Sequence, residues 1–249
     1  MKTMILGAGR GTRLQPLTLQ VPKILAPVLG LPMLDRLLAA LGRHGADPVA
    51  MNTHHLADTV RQHLAGRNAG ASLRLFHEEE LLGTGGALRN IAAYWGQDPL
   101  LLWNGDIVSA AAPAALMAAH RARPGAFATL LVQDRPTTSW LLVDVAGRVV
   151  GLDSPRRNAV RVVRPPEGEP RRMAFNGISV LAPALRAHMP PEPVFDLIDL
   201  LLTAIAAGGE VWAHDAGDAY FGTTGNLEEL AALEQALGQR PELLALWTP

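Results

Sequence analysis

ILGAGRGTRLQPLTLQVPKILAPVLG, Ile5 to Gly30, joins a short apolar run to a loop with three glycines in five positions, Gly7, Gly9 and Gly11. Arg13, Pro16, Pro22 and Lys23 follow. A glycine turn after a first strand gathers backbone N–H groups around an anion. Spacing excludes two common versions of it. The dinucleotide fingerprint needs a glycine at position 12, where Thr12 stands, and a helix opening there, whereas LQPLTLQVP continues as loop. The P-loop needs Gly-Lys-Ser/Thr after four intervening residues, and that is absent too. A dinucleotide-dependent oxidoreductase therefore fails on glycine spacing. Pro22 restricts the backbone just before Lys23, so Lys23, with Arg13, suits an incoming polyphosphate.

Outward from this loop the chain alternates. KTMIL before it reads as a strand buried on both faces. PMLDRLLAALGRHG has helical spacing at Met33, Leu34, Leu37, Leu38 and Leu41 and stops at Gly42 or Gly45. PVAMN, SLRLF and PLLLWN read as strands; LADTVRQHLAG and TGGALRNIAAYW read as helices. Strands alternating with helices of this length imply a largely parallel sheet covered on both faces. After about Arg123 the pattern shifts to shorter strands with turns between them, in AFATLLVQD, WLLVDV, RVVGL, AVRVVR and MAFNGISVL. Helices in VFDLIDLLLTAIAAG and NLEELAALEQALG close the chain. The expectation is one domain over 1–249, with antiparallel strands in its second half and no internal repeat.

Composition narrows the function. With 22 basic and 23 acidic residues the net charge is −1, so nothing suggests a nucleic-acid or anionic-membrane surface, and any anion must be met by a local cluster. The absence of cysteine excludes disulfides, zinc–thiolate sites and cysteine nucleophiles. The N-terminal apolar run meets Gly7 and Arg10 too early for a signal peptide. No stretch reaches the ~20 apolar residues of a membrane span. The expected location is the cytoplasm.

LGAGRGTRLQPLT followed by PKILAPVLGLPML resembles the signature of the sugar-1-phosphate nucleotidyltransferases, the nucleoside-diphosphate-sugar pyrophosphorylases. LLGTGGAL, WNGD and FNGISVL follow in the order that family shows. The resemblance spans Met1 to about Leu181 and implies a Rossmann-like three-layer α/β sandwich. Its mixed sheet would be mostly parallel, with a smaller antiparallel sugar-binding part. Residues 1–123 would be mainly the nucleotide-binding half and 124–249 mainly the sugar-binding half. It further implies that Leu6, Gly7, Ala8, Gly9, Gly11 and Thr12 wrap a nucleoside triphosphate, with backbone amides on its phosphates. Arg13 and Lys23 would neutralise those phosphates as the sugar 1-phosphate attacks. Gly83, Thr84 and Gly85 would line the base and ribose pocket, Asp106 would bind Mg²⁺ at a strand end, and Asn176 and Gly177 would face the sugar. Two anionic reactants need fixed cations and oriented amides more than a covalent nucleophile.

Two departures from the family pattern stand out. The second metal carboxylate, in a pattern like aromatic-x-Asp-x-Gly-Thr, should fall in AYFGTTGNLEEL. Aligned on Tyr220 its position is Gly222; aligned on Gly225 it is Thr223. Asp215 and Asp218 lie upstream as substitutes. The Glu-Lys-Pro motif for the sugar phosphate is also missing, and SPRRN and VVRPP offer arginines instead. These losses fit a second kind of protein, a weakened homologue that binds nucleotide or nucleotide-sugar and regulates a partner, although Arg13, Lys23 and Asp106 are all retained.

Other residues read as structural. His54 and His55 are adjacent, so their side chains diverge and do not share a metal. Glu78, Glu79 and Glu80 read as a solvated run, and Trp95, Trp103 and Trp140 as packing. By itself Lys23 would be an exposed loop lysine. The chain shows no hexapeptide repeats of a C-terminal left-handed β-helix. PVLGLPML, NTHHLAD, TGGAL and FNGISVL most resemble the compact N-acetylmuramate-1-phosphate uridylyltransferase group, which favours UTP. Mannose- and heptose-1-phosphate guanylyltransferases are similar. Oligomeric state has no signature here.

Overall fold

The computed structural model describes residues 1–65, 72–155 and 159–249. They form two compact units. Unit one is Met1–Leu81, Trp103–Ala110 and Tyr220–Pro249; unit two is Leu82–Leu102 and Ala111–Ala219. The units interleave along the chain.

In unit one, Thr3–Leu6, Val49–Thr53 and Leu73–His77 form parallel strands, with Thr3 opposite Val49 and Val49 opposite Leu73. Thr3–Ile5 and all of Val49–Thr53 are buried, as their continuous apolar runs require. The helix Met33–Arg43 buries Leu34, Leu37 and Leu41 at the anticipated spacing. Its stop is set by Gly45, at φ 68°, which lets the Ala46 N–H return to the Leu41 carbonyl at 3.0 Å. The same helix also buries Arg36, whose Nε and Nη1 donate to the carbonyls of Val28 (2.8 Å) and Trp247 (3.0 Å). Burial lowers the pKa of this guanidinium, and Glu234 opposes that shift. The helix Leu227–Gln239 starts at Asn226, whose side chain accepts the Glu229 N–H at 2.9 Å.

Unit two is built around Ala126–Gln133, antiparallel to Arg171–Leu181 and parallel to Glu210–Asp215. Trp140–Val143 pairs with Arg171–Met173 and with Val149–Ser154, which in turn pairs with Ala159–Val162. The antiparallel second half expected from the sequence is present. Three features differ from the sequence reading. Glu210–Asp215 is a strand that the reading lacks, because EVWAHD shows no two-residue apolar alternation and its pairing partner is distant in the chain. Pro113–Arg121 is a further helix. The helix anticipated in TGGALRNIAAYW is interrupted at Ile91, between Gly83–Asn90 and Ala92–Trp95. The protein is thus α/β, with helices on strands of mixed direction. Among the described residues, no helix is long and apolar enough to cross a membrane.

His120, on Pro113–Arg121, is buried, with Nδ1 3.1 Å from Thr129 Oγ1. Burial, and then the Arg121 charge, lower its pKa from the ordinary histidine value. In this range the unfolded chain binds the proton more readily than the native one. The His120 contribution to stability is therefore complete above about pH 6.5 and is lost as pH falls from there through the lower native value. His120→Gln should flatten the fall in unfolding free energy between pH 8 and pH 5, measured by urea titration. Equal slopes in variant and parent would overturn this assignment.

Candidate active site

Unit one holds the groups expected to face phosphate. Lys23 opens a single 3₁₀ turn, Lys23–Leu25, directly after Pro22. Ile24 and Leu25 are buried and pin that turn. Gly105 follows the strand Leu100–Asn104, and its N–H donates to the Leu6 carbonyl at 2.9 Å. A Cβ on Gly105 would collide with Ile24 Cδ1 and lie 2.8 Å from the Leu6 carbonyl oxygen. The bare backbone there lets Ile24 settle against the strand end, which brings Lys23 Nζ to 2.5 Å from Asp106 Oδ2. Lys23 is accordingly no exposed lysine: 15% of its side chain is accessible, against 24% for Asp106.

The glycine loop is held from both ends. Gly11, at φ 64°, has its Cβ position 2.8 Å from Thr18 Cγ2 and 3.0 Å from Lys23 Cβ. A side chain there would strain the backbone and press the lysine aside. Thr18 Oγ1 donates to the Gly11 carbonyl at 2.7 Å, and His55 Nε2 donates to the Thr18 carbonyl at 3.0 Å. At the other end the Gly7 N–H donates to Asn52 Oδ1 at 2.8 Å. Gly7 therefore departs from the expectation that its amide meets phosphate, because that amide is already spent. From Ala8 to Arg13 the backbone N–H groups have no partner among the described residues. Gly9, Thr12 and Arg13 are exposed, and Arg13 forms no ion pair among the described residues. Backbone donors left unpaired together at a strand end form a concavity suited to an anion.

Other unit-one readings resolve as follows. His54 Nδ1 donates to the Glu78 carbonyl at 2.9 Å, so the two histidines serve different partners, as their adjacency implied. Glu79 and Glu80 are exposed, but Glu78 is a correction to the solvated run: it is 3% exposed and bonded to Asn52. Trp103 packs with its ring centroid 6.1 Å from that of Trp247 and donates to the Ile107 carbonyl at 3.0 Å.

The missing second carboxylate can be placed. Phe221–Thr223 pairs antiparallel with Ile107–Ser109, Thr223 opposite Ile107, and the Thr224 N–H donates to the Asp106 carbonyl at 2.9 Å. This stretch does lie beside Asp106. An acid at Gly222 would have to displace its neighbours, since its Cβ position is 2.6 Å from Tyr220 Oη and 2.9 Å from Leu233 Cδ1. With Gly222–Thr223 taken as the Gly-Thr of the pattern, Tyr220 holds the carboxylate position. The Tyr220 ring lies under the Arg240 guanidinium, 5.0 Å away, and burial raises the pKa of its phenol against the Arg240 charge. No group of three or more His, Cys, Asp or Glu able to hold a metal occurs among the described residues. The donor set at Asp106 is therefore smaller than three such side chains among the described residues. That does not suit a resident structural ion, but it suits Mg²⁺ arriving with a triphosphate, which usually takes one or two carboxylates beside phosphates and water.

Unit two holds the remaining candidates. Gly83, at φ 75°, opens the helix Gly83–Asn90. The N–H groups of Gly85 and Gly86 both donate to the Phe195 carbonyl, at 2.9 and 3.1 Å. A Cβ on Gly85 would collide with the Phe195 ring. Thr84 Oγ1 accepts the Leu197 N–H at 2.8 Å. This turn thus packs on Phe195–Leu197 and uses two of its amides there. Asn176 is 1% exposed, with Nδ2 donating to Gln133 Oε1 (2.7 Å) and Oδ1 accepting from Arg135 Nε (3.0 Å). Gly177, at φ 71°, forms the irregularity between Phe175 and Ser179. Asp215 and Asp218 are exposed, and Asp215 Oδ1 accepts the Gly217 N–H. Of the arginines offered for the sugar phosphate, Arg164 is committed to the carbonyls of Gly208 and Gly209, and Arg156 and Arg157 lie outside the described residues. Matching Glu-Lys-Pro to Asp153-Ser154-Pro155 puts the buried Ser154 at the lysine position. Arg172 Nη2 meets Asp153 Oδ2 at 2.5 Å. Trp95 is fully buried and Trp140 lies beneath Arg172, so both pack. Sequence reasoning missed Asn52, Gln133, Arg135 and Arg172. Only Asn52 had a signal, as the polar residue of an otherwise apolar strand end, and NTHH was read for its histidines.

A strand end with unpaired amides, a paired lysine and aspartate, and this α/β fold suit a protein that binds phosphate groups at a strand end. The nucleotidyl transferase family model matches residues 2–163, and the chain belongs to that family. It is 36% identical over 119 residues to the mannose-1-phosphate guanylyltransferase of Mycobacterium tuberculosis, covering 47% of this chain and 33% of that protein. It is also 36% identical over 109 residues to the N-acetylmuramate alpha-1-phosphate uridylyltransferase of Caulobacter vibrioides, covering 42% and 45%. The chain thus spans less than half the length of these two relatives. HddC from Yersinia pseudotuberculosis, complexed with GMP-PN, has the same Rossmann-like fold: TM-score 0.76 at 20% identity, over 94% of this chain and 98% of that one.

Proposed function

We propose that the protein transfers a nucleotidyl group from a nucleoside triphosphate to a sugar 1-phosphate, releasing pyrophosphate. The observation that carries this is the run of unpaired N–H groups from Ala8 to Arg13 in the same unit as the Lys23–Asp106 pair. A phosphate oxygen of the sugar 1-phosphate attacks the α-phosphorus, the α–β bridging bond breaks, and pyrophosphate leaves with the electron pair. The loop amides orient the triphosphate, and Arg13 and Lys23 offset the charge that gathers on the departing pyrophosphate. Asp106 would hold Mg²⁺, which neutralises triphosphate charge when bound. Lys23 leaves Asp106 for phosphate oxygens as the nucleotide enters.

UTP with N-acetylmuramate 1-phosphate is the first pair to test, given the motifs shared with that group and the Caulobacter relative. A guanylyl transfer to mannose or heptose 1-phosphate is the second, favoured by the Mycobacterium relative and by the GMP-PN complex of HddC. The test is a screen of nucleoside triphosphates against sugar 1-phosphates with Mg²⁺, following pyrophosphate. Release that requires both substrates supports transfer. Nucleotide binding without pyrophosphate release from any pair would instead identify a regulatory binding protein.

A further inference from the structure

Glu78 is a carboxylate at 3% exposure, and the catalytic proposal gives it no task. Burying a charge costs several kcal/mol unless donors meet it. Here Oε1 accepts from Asn52 Nδ2 at 2.7 Å, and Asn52, itself 4% exposed, accepts the Gly7 N–H on Oδ1 at 2.8 Å. The Glu78 backbone is fixed as well, its N–H donating to the Thr53 carbonyl at 2.8 Å and its carbonyl accepting from His54 Nδ1 at 2.9 Å.

The chemistry of the chain Glu78–Asn52–Gly7 has one sense. An ionised carboxylate only accepts, and a backbone N–H only donates. The carboxamide between them must turn its NH₂ to Glu78 and its oxygen to Gly7. An amide at position 78 could satisfy either orientation; the carboxylate removes the wrong one. Gly7 is also where the strand becomes the loop, and its Cβ position is 3.0 Å from the Asn52 carbonyl oxygen and from Met51 Cγ. At this end the loop therefore sits directly on the end of Val49–Thr53, tied down there by the Gly7–Asn52 hydrogen bond. The unpaired amides begin at the next residue, Ala8.

We propose that Glu78 and Asn52 are positioning residues that preorganise the phosphate loop by capturing the Gly7 amide, an inference that rests on the nucleotide-binding reading above. An anchored loop loses little conformational entropy when phosphate arrives; a loop released at Gly7 must be ordered by the ligand, which weakens affinity.

The test uses Asn52→Asp, Glu78→Gln and the double variant. Asn52→Asp sets two carboxylates against each other with no donor between them. In the double variant the new carboxamide at position 78 donates through its NH₂ to one oxygen of the new carboxylate at position 52. The other oxygen of that carboxylate accepts the Gly7 N–H, so the chain of bonds is rebuilt with its charge moved. Calorimetry with UTP·Mg²⁺ and GTP·Mg²⁺, under conditions where every variant is folded, should show at least roughly tenfold weaker binding for Asn52→Asp and recovery to within about threefold in the double variant. Glu78→Gln alone should fall between the parent and Asn52→Asp, because an amide at position 78 lets Asn52 bond in either orientation and the Gly7 acceptor is then held only part of the time. Hydrogen exchange at the Gly7 amide, measured without nucleotide, should speed up in Asn52→Asp and slow again in the double variant. A double variant no better than Asn52→Asp would show that the added charge, not the lost bond, weakens binding, and would overturn the proposal. So would parent-like affinity and exchange in Asn52→Asp. A parent protein that binds neither nucleotide would sink the nucleotide-binding reading, while the exchange measurement still decides whether these residues anchor the loop.

Discussion

Asp106→Asn should lower Mg²⁺-dependent pyrophosphate release by roughly two to three orders of magnitude, about 3–4 kcal/mol of transition-state stabilisation, as losing one preorganised charge-stabilising group commonly does. The fold should survive. The hydrogen bond that ties Asp106 to its neighbours runs from the Thr224 N–H to its backbone carbonyl, which the substitution leaves alone. The asparagine oxygen can still accept from Lys23, whose Nζ stands 2.5 Å from the acid. What disappears is the charge that the proposed mechanism sets against a cation entering with the triphosphate. The loss should be deepest at limiting Mg²⁺ and partly relieved at high Mg²⁺. Turnover unchanged at limiting Mg²⁺ would overturn the metal-ligand role of Asp106.

Lys23→Met should lower kcat by more than roughly tenfold, about 1.4 kcal/mol or more. An ammonium is a compact point charge, and the 3₁₀ turn after Pro22 limits where its stem begins. If it meets phosphate most strongly as pyrophosphate charge develops, kcat and kcat/KM fall together; contact made equally in the ground state mainly raises KM. Lys23→Arg should rescue only partly, because a planar fork is not a point charge. The ion pair adds a consequence that an exposed lysine would not have. Methionine leaves the Asp106 carboxylate, three-quarters covered, without its cation. Some stability should be lost, and Lys23→Met combined with Asp106→Asn should recover part of it by removing the orphaned charge. Turnover must be compared at a temperature where both variants are folded. Normal kcat with raised KM would confine Lys23 to docking the nucleotide, and normal values of both would remove it from the reaction.

The sequence by itself determined much of the fold. Backbone-level signals act within a few residues: the continuous apolar runs of KTMIL and PVAMN, the helical spacing of PMLDRLLAALGRHG, the glycine at its end. These became a strand, a strand and a helix close to where the pattern placed them. The glycine loop with Arg13 and Lys23 was legible in the same way, because glycine and proline act on their own φ angles. Tertiary structure decided what depended on a distant partner. Lys23 and Asp106 are 83 residues apart and meet only because Ile24 fits where Gly105 has no side chain. Glu78 reads as one of three solvated acids until Asn52, from a neighbouring strand, takes its charge out of water. EVWAHD is a strand because the Ala126–Gln133 edge offers it hydrogen bonds, not because its own residues alternate. Gly222 has no free room for a carboxylate unless the Tyr220 and Leu233 side chains shift. In each case the deciding interaction is a short-range contact that the linear pattern of residues does not encode, because periodicity and turn chemistry report only on a residue's own backbone and its immediate neighbours.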